Sequence, residues 1–153
     1  MRHGDLDFMA ELLGDPRSMA YYPRPYRRDE AEAWIDGNQR LYRDRGFGLW
    51  LVCLRGTGEP VGDCGITPQV VDDEEELEVG YHVHPAHQRQ GYATEAAAAV
   101  RDFARSSLGL RRLVAIIHPG NVASRHVAET IGLAAERDVD RSGLSRRLFS
   151  MSL

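Results

Sequence analysis

The sequence predicts a single mixed α+β domain over residues 1–153, with elements in the order α-α-β-β-β-α-β-α-β-β. Three observations carry that prediction. The hydrophobic period switches from helical to strand-like after Gly46. Helical and strand segments alternate only in the middle of the chain, which argues for a mixed sheet rather than a doubly wound parallel one. No internal repeat or low-complexity linker divides the chain. With 153 residues, 42% of them hydrophobic and 27% charged, the composition is that of an ordinary globular domain. A chain of this length can bury a core without disulfides or metals.

The first helix is expected over 5–13, where Leu6, Met9 and Leu13 share a face and Gly14 stops it. A loop rich in Tyr and Pro follows. The second helix is read from Asp29, which has capping-box spacing to Glu32. Its face carries Ala31, Trp34, Ile35, Asn38, Leu41 and Tyr42, apolar apart from Asn38. Residues 47–54 and 61–67 read as strands joined by the hairpin connection 55–59, and 77–84 as a third strand. A helix over 92–107 would bury Tyr92, Ala96, Val100, Phe103 and Ala104, with Gly109 past its end. Residues 113–117 form a short apolar strand of the central kind, 122–131 a helix closed by Gly132. Strands near 134–138 and 144–151 flank the turn 140–143.

Charge and cysteine content bound the function. Net charge is −4, and the basic residues form only short clusters such as Arg27-Arg28, so a nucleic-acid partner is not expected. No apolar run approaches a membrane span and the N-terminus lacks a signal peptide's apolar stretch, so the expectation is a cytoplasmic protein. Asp72-Asp-Glu-Glu-Glu76 reads first as a solvated loop and second as a device steering a cationic substrate. Cys53 and Cys64 lack metal-ligand spacing and read as small buried residues on neighbouring strands.

The strongest signal is His84-Pro-Ala-His-Gln-Arg-Gln-Gly-Tyr-Ala-Thr-Glu95. A strand ends at a proline, a short loop follows, and a glycine opens a helix. Backbone N–H groups then point one way and the helix dipole adds partial positive charge, a natural seat for a pyrophosphate. Gly91 admits close approach of a ligand, and small Ala93 keeps the first turn open. Neither GK[ST] nor GxGxxG is present, which excludes a Walker A loop and a Rossmann dinucleotide site.

Gln88-x-x-Gly91-x-Ala93 resembles the (Arg/Gln)-x-x-Gly-x-(Gly/Ala) acetyl-CoA motif of the GNAT superfamily. The stretch 77–96 is similar to the subgroup that acetylates ribosomal-protein N-termini (RimJ/RimL-like), and Asn121-Val-Ala-Ser124 resembles that subgroup's Asn-x-x-Ser element. The resemblance spans residues 5–153. It implies the GNAT acyl-CoA N-acyltransferase fold: a central, mostly antiparallel twisted sheet, splayed at a V between two central strands and flanked by about four helices. It implies acetyl-CoA as co-substrate, with no metal. Backbone groups of Val83 would bond the pantetheine arm in the splay. The amides of Gln88, Arg89, Gln90, Gly91, Tyr92, Ala93 and Thr94 would hold the pyrophosphate, and Asn121 would touch pantetheine or serve simply as an N-cap. Relatives begin with a strand before the first helix, whereas Asp5 is already helical here. Either that strand is absent or the chain begins late in its gene.

Acyl transfer to an amine needs a neutral amine, support for the oxyanion, and a thiolate that can accept a proton. Glu78 is the candidate base. Strand alternation groups Glu76, Glu78, Gly80, His82 and His84 on the face opposite Leu77, Val79, Tyr81 and Val83. Its other reading is an exposed charge or ion-pair partner, and Glu76 is the fallback. His82 could relay a proton. Many GNAT enzymes carry a tyrosine seven residues after the motif asparagine, where its hydroxyl protonates the thiolate; this chain has Ala128. Ser124 is the candidate for bonding the coenzyme sulfur. The acceptor is expected to be a protein N-terminus or small-molecule amine, lined by Tyr22, Tyr26, Glu78 and His82. An α-amine titrates about two units below a lysine amine and so asks less of a carboxylate base. The competing reading is a non-catalytic acyl-CoA-binding module. An incomplete sheet edge makes a homodimer reasonable beside a monomer.

Overall fold

The computed structural model describes residues 1–141 and 143–153. Helices α1 (Leu6–Gly14) and α2 (Arg28–Arg45) precede strands β1 (Leu49–Cys53), β2 (Pro60–Val71) and β3 (Glu74–Val83). Then come α3 (Tyr92–Ser106), β4 (Arg112–Ile117), α4 (Val122–Thr130), β5 (Ala134–Arg141) and β6 (Leu144–Ser152). This is the predicted order, with short 3-10 turns added at His3–Asp5 and Pro85–His87. The strands hydrogen-bond in the order β1-β2-β3-β4-β6-β5. Pairing is antiparallel for β1 with β2 and for β6 with both β4 and β5, and parallel for β3 with β4. Among the described residues Glu78↔Val114 is the one β3–β4 register pair, so the sheet opens at the expected junction.

The chain divides into two compact units, one formed by Met1–Gly65 with Tyr81–Ala93, the other by Ile66–Gly80 with Thr94–Leu153. In the first, Met9, Leu12, Leu13, Met19, Ala31 and Ile35 form a core that Tyr26, Trp34 and Leu51 pack against. Each large apolar side chain buried this way contributes about 1.5–3 kcal/mol. α2 begins one residue before Asp29, and the carboxylate that reaches back is Glu30 rather than Glu32, accepting the Arg27 N–H at 2.8 Å. It lies at the third helical position, where a capping-box carboxylate belongs. The helix ends at Gly46, whose φ of 75° is the left-handed conformation a glycine adopts without strain. Asn38, the polar interruption in the predicted apolar face, is buried because it stitches helix to strand. Its Oδ1 accepts the Leu49 N–H at 2.7 Å and its Nδ2 donates to the Trp34 carbonyl at 2.9 Å.

Cys64 is buried as expected, but Cys53 is exposed, and the two are not register partners: Trp50 faces Cys64 and Pro60 faces Cys53. Cys53 ends β1 where the strand meets its hairpin, so its face is not covered. Burial pushes the Cys64 thiol well above its ordinary value, which removes it as a nucleophile at neutral pH.

In the second unit, Val71, Val114, Val139 and Leu148 form a core with Ile116 packed on it. β4 is nearly continuous in its burial, as a central strand should be. The inward face of α3 carries Ala97, Val100 and Ala104. Ala96, Tyr92 and Phe103, expected on this face, are only half-buried: at about 100° per residue the buried stripe is centred on 97, 100 and 104, and these three lie at its edge. The acidic run is not a loop. β2 continues to Val71 and β3 starts at Glu74, leaving Asp72 and Asp73 as a two-residue turn with φ of 50° and 66°. Asp tolerates that conformation better than most residues, and two such residues in succession suit the twist of a tight hairpin. The expected turn over 140–143 includes Ser142, which lies outside the described residues; beside it, the Gly143 N–H donates to Asp140 Oδ1 at 2.8 Å.

Candidate active site

In the first unit, β3 ends at Val83 and the chain turns through Pro85–His87 into the loop before α3. The Gln88 side chain folds back and donates from Nε2 to the Val83 carbonyl at 2.9 Å, which ties the loop to the strand. Arg89 and Gly91 both have positive φ, 62° and 87°. Such a backbone points successive N–H groups to one side, the geometry of an anion nest. Among the described residues, no turn or loop backbone bond uses the amides of Arg89, Gln90 or Gly91. The amides of Tyr92, Ala93 and Thr94 are the first of a 15-residue helix and have no carbonyl one turn earlier to bond. A Cβ built on Gly91 meets nothing within 4 Å. Backbone amides left over beside an uncrowded Gly91 are the donors a pyrophosphate needs, so the residues present fit that group. The Gln88 amide, expected among them, instead donates to the Pro85 carbonyl at 3.4 Å. The Val83 carbonyl already holds Gln88, leaving one lone pair for a pantetheine amide.

The same unit gathers three of the four expected acceptor residues. The Tyr22 ring lies 5.5 Å from His82 and 6.2 Å from Tyr26, which in turn meets Trp34 edge-on at 6.0 Å. His82 Nε2 sits 2.8 Å from the Tyr22 hydroxyl and its Nδ1 2.8 Å from Asp63 Oδ1. Asp63 is fully buried, and its oxygens also accept from the His82 backbone N–H at 3.1 Å and from Trp34 Nε1 at 3.2 Å. Gly62 lets this happen: a Cβ there would lie 2.0 Å from the His82 carbonyl oxygen. Sequence reasoning missed Asp63. Its signal is a lone carboxylate between glycines in the otherwise apolar run Val61-Gly-Asp-Cys-Gly-Ile66. Trp34 was legible only as a packing residue. His84 and His87, expected to close the strand and follow in the loop, pair with Glu11 at 3.2 Å and Glu59 at 3.3 Å.

The fourth acceptor residue, Glu78, belongs to the second unit. It sits at the β3–β4 pair, and its Oε1 accepts the Ile116 N–H at 3.0 Å. The side chain thus satisfies a β4 donor that a continued ladder would have paired with backbone. Its Oε2 lies 3.9 Å from Arg141 Nη1. Glu76, the fallback, is bound to Arg112 at 3.0 Å. Asn121 caps α4, with Oδ1 accepting the Ser124 N–H at 3.0 Å. What it retains for a ligand is its NH2 group. Ser124 is half-buried in the first turn, and Ala128, where many relatives carry tyrosine, is fully buried.

An unbroken acyl-CoA motif at a strand-to-helix junction, on a mixed sheet opened between β3 and β4, defines a class of acyl-CoA-dependent transferase. Comparison with known proteins agrees. The family model described as an acetyltransferase (GNAT) domain matches residues 1–134, and the chain belongs to that family. It is 38% identical over 122 residues to the uncharacterized protein YkkB of Bacillus subtilis, covering 80% of this chain and 71% of that one. A crystal structure of an acetyltransferase from Agrobacterium tumefaciens superposes with a TM-score of 0.85 at 28% identity, covering 99% of this chain and 86% of that one. A spermidine N-acetyltransferase from Vibrio cholerae, solved with CoA and spermine, shares the fold: TM-score 0.79, 18% identity, 99% of this chain and 92% of that one. Among the described residues no helix is long and apolar enough to cross a membrane.

Proposed function

We propose that residues 1–153 work as one catalytic domain that transfers an acetyl group from acetyl-CoA to a primary amine by direct attack. The observation that carries this reading is the loop from Arg89 to Ala93, where amides not used in turn or loop bonds meet a helix N-terminus beside an uncrowded Gly91. Gln88 to Thr94 and Val83 hold the coenzyme's pyrophosphate and pantetheine, with Asn121 contributing its NH2 group. The bound thioester supplies an activated acetyl group. Glu78 takes a proton from the attacking nitrogen; its carboxylate is held in place by the Ile116 amide, so little reorganisation is needed. Ser124 hydrogen-bonds the coenzyme sulfur. A serine hydroxyl stabilises a thiolate by donating a hydrogen bond rather than by giving up its proton.

The acceptor is an α-amine of a protein N-terminus or a small-molecule amine, received by Tyr22, Tyr26 and His82. Similarity of residues 77–96 and 121–124 to the ribosomal-protein N-terminal subgroup supports the first. The spermidine enzyme of the same fold makes a polyamine a reasonable second probe. The test is thiol release from acetyl-CoA in the presence of an alanyl tetrapeptide amide or spermidine. Acceptor-dependent thiol with at least one of them is expected. Tight acetyl-CoA binding with no thiol from either would favour a binding module instead.

A further inference from the structure

Asp63 is fully buried on a strand of apolar neighbours, where its oxygens accept the His82 backbone N–H and Trp34 Nε1–H while Oδ1 also lies 2.8 Å from His82 Nδ1. A carboxylate so placed acts as an acceptor. Burying a carboxylate is not a route to stability, because well-packed apolar replacements of buried ion pairs are often neutral or stabilising. Its geometry instead orders a neighbour. With Oδ1 at 2.8 Å, Nδ1 of His82 carries the ring hydrogen and Nε2 is left as an acceptor. The Tyr22 hydroxyl, 2.8 Å from Nε2, is then the donor. The outcome is a directed chain, Tyr22 O–H to His82 Nε2, and His82 Nδ1–H to Asp63. It runs from a residue 38% exposed to one with no exposure. Trp34 holds the far carboxylate oxygen and Tyr26 packs edge-on against Tyr22, so both ends are positioned by aromatic rings.

We propose that Tyr22, His82 and Asp63 form a proton-export relay whose outer end, the Tyr22 oxygen, meets the nitrogen of the incoming amine. The proposal rests on the transfer reaction proposed above. That reaction is R–NH3+ plus CH3CO–S–CoA giving R–NH–CO–CH3, HS–CoA and one H+. A C–N bond forms, a C–S bond breaks, and nothing is oxidised or reduced. Two protons leave the nitrogen, and one ends on the sulfur. The other must leave the site. The Tyr22 oxygen accepts it from the ammonium as the phenol's own hydrogen passes to His82 Nε2. The imidazolium so formed is balanced by the Asp63 carboxylate. Once the amide product departs, the proton returns through Tyr22 to water. The second nitrogen proton is the one whose equivalent reaches the thiolate. Tyr22 is thus a catalytic residue, His82 the proton store, and Asp63 a positioning residue.

The relay is tested with Tyr22→Phe, His82→Gln and Asp63→Asn, which keep shape while removing the hydroxyl, the basic nitrogen and the charge. Thiol release is read with the alanyl tetrapeptide amide and spermidine. Each variant is expected to lower kcat by about 100-fold, the low end for lost acid–base assistance. The KM for acetyl-CoA and the thermal shift it produces should stay at wild-type values. In His82→Ala, free imidazole should restore turnover while pyrazole, a similar ring of far weaker basicity, should not. Wild-type kcat in both Tyr22→Phe and His82→Gln would overturn the relay, as would equal rescue by pyrazole, which marks a space-filling role. Where His82→Ala does not fold, the first two variants decide. A wild-type protein that binds acetyl-CoA but releases no thiol with either amine would remove the transfer reading and the relay with it. An active wild type with indifferent variants removes the relay alone.

Discussion

Replacing Asp63 with alanine deprives three N–H donors of their acceptor at once: the His82 backbone amide, His82 Nδ1 and Trp34 Nε1. A buried donor left without a partner costs about 1–3 kcal/mol. The plain sum overshoots, because the small side chain leaves room for water to reach some donors. The low end of the summed range, about 3–5 kcal/mol, is therefore the expected loss. For a chain of 153 residues, each kcal/mol moves Tm by roughly 2–4 °C, so Asp63→Ala should melt about 6–20 °C lower. Asp63→Asn retains one acceptor oxygen and turns an NH2 group toward the remaining donor, so about 1–3 kcal/mol is expected. Urea unfolding of the three proteins measures both figures, with an unchanged m-value marking a loss of stability alone. A loss below about 1 kcal/mol for Asp63→Ala, or an Asn variant no better than the Ala variant, would refute the view that Asp63 organises this cluster.

Gly91→Glu brings both a positive-φ strain and a negative charge to the amide nest; acetyl-CoA should then no longer raise Tm, and a retained shift would move the coenzyme site elsewhere. Glu78→Gln can keep the Ile116 N–H bond through its amide oxygen, so acetyl-CoA binding should survive while kcat falls about 10²-fold. Unchanged turnover would remove Glu78 from the mechanism. Asn38→Ala orphans the Leu49 N–H and should cost about 1–3 kcal/mol by urea unfolding. The Arg24 guanidinium, helped by the Arg27 backbone N–H, holds the Glu30 carboxyl down at about 2. A depressed carboxylate stabilises the fold above its ordinary value and loses that contribution as pH falls toward 2. Glu30→Gln should therefore flatten the decline of Tm between about pH 5 and pH 2, and an unaltered decline would count against the Arg24 pairing.

Local rules carried the element order, because helix and strand periods, Gly46 and Gly132 as stops, and the hairpin at 55–59 are each written within a few adjacent residues. They faltered where the choice depended on partners far along the chain. Residues 74–76 read as a solvated acidic loop, but pairing with neighbouring strands and the Arg112 bridge to Glu76 extend β3 through them. The capping carboxylate shifted from Glu32 to Glu30 because the helix start is set by the chain leaving the Tyr-Pro loop, not by spacing alone.

The sequence by itself pointed to the loop proposed to hold the donor, since a phosphate cradle is a local object: one turn, one glycine and one helix start between Gln88 and Thr94. Only the tertiary structure decided the company kept by His82. Asp63, Trp34 and Tyr22 stand on a strand, a helix and a loop far apart in sequence, and no periodicity links them. Their meeting depends on β2 and β3 approaching closely at Gly62, where a single methyl group would collide with the His82 carbonyl. That approach turns an isolated aspartate into the inner end of a hydrogen-bonded chain.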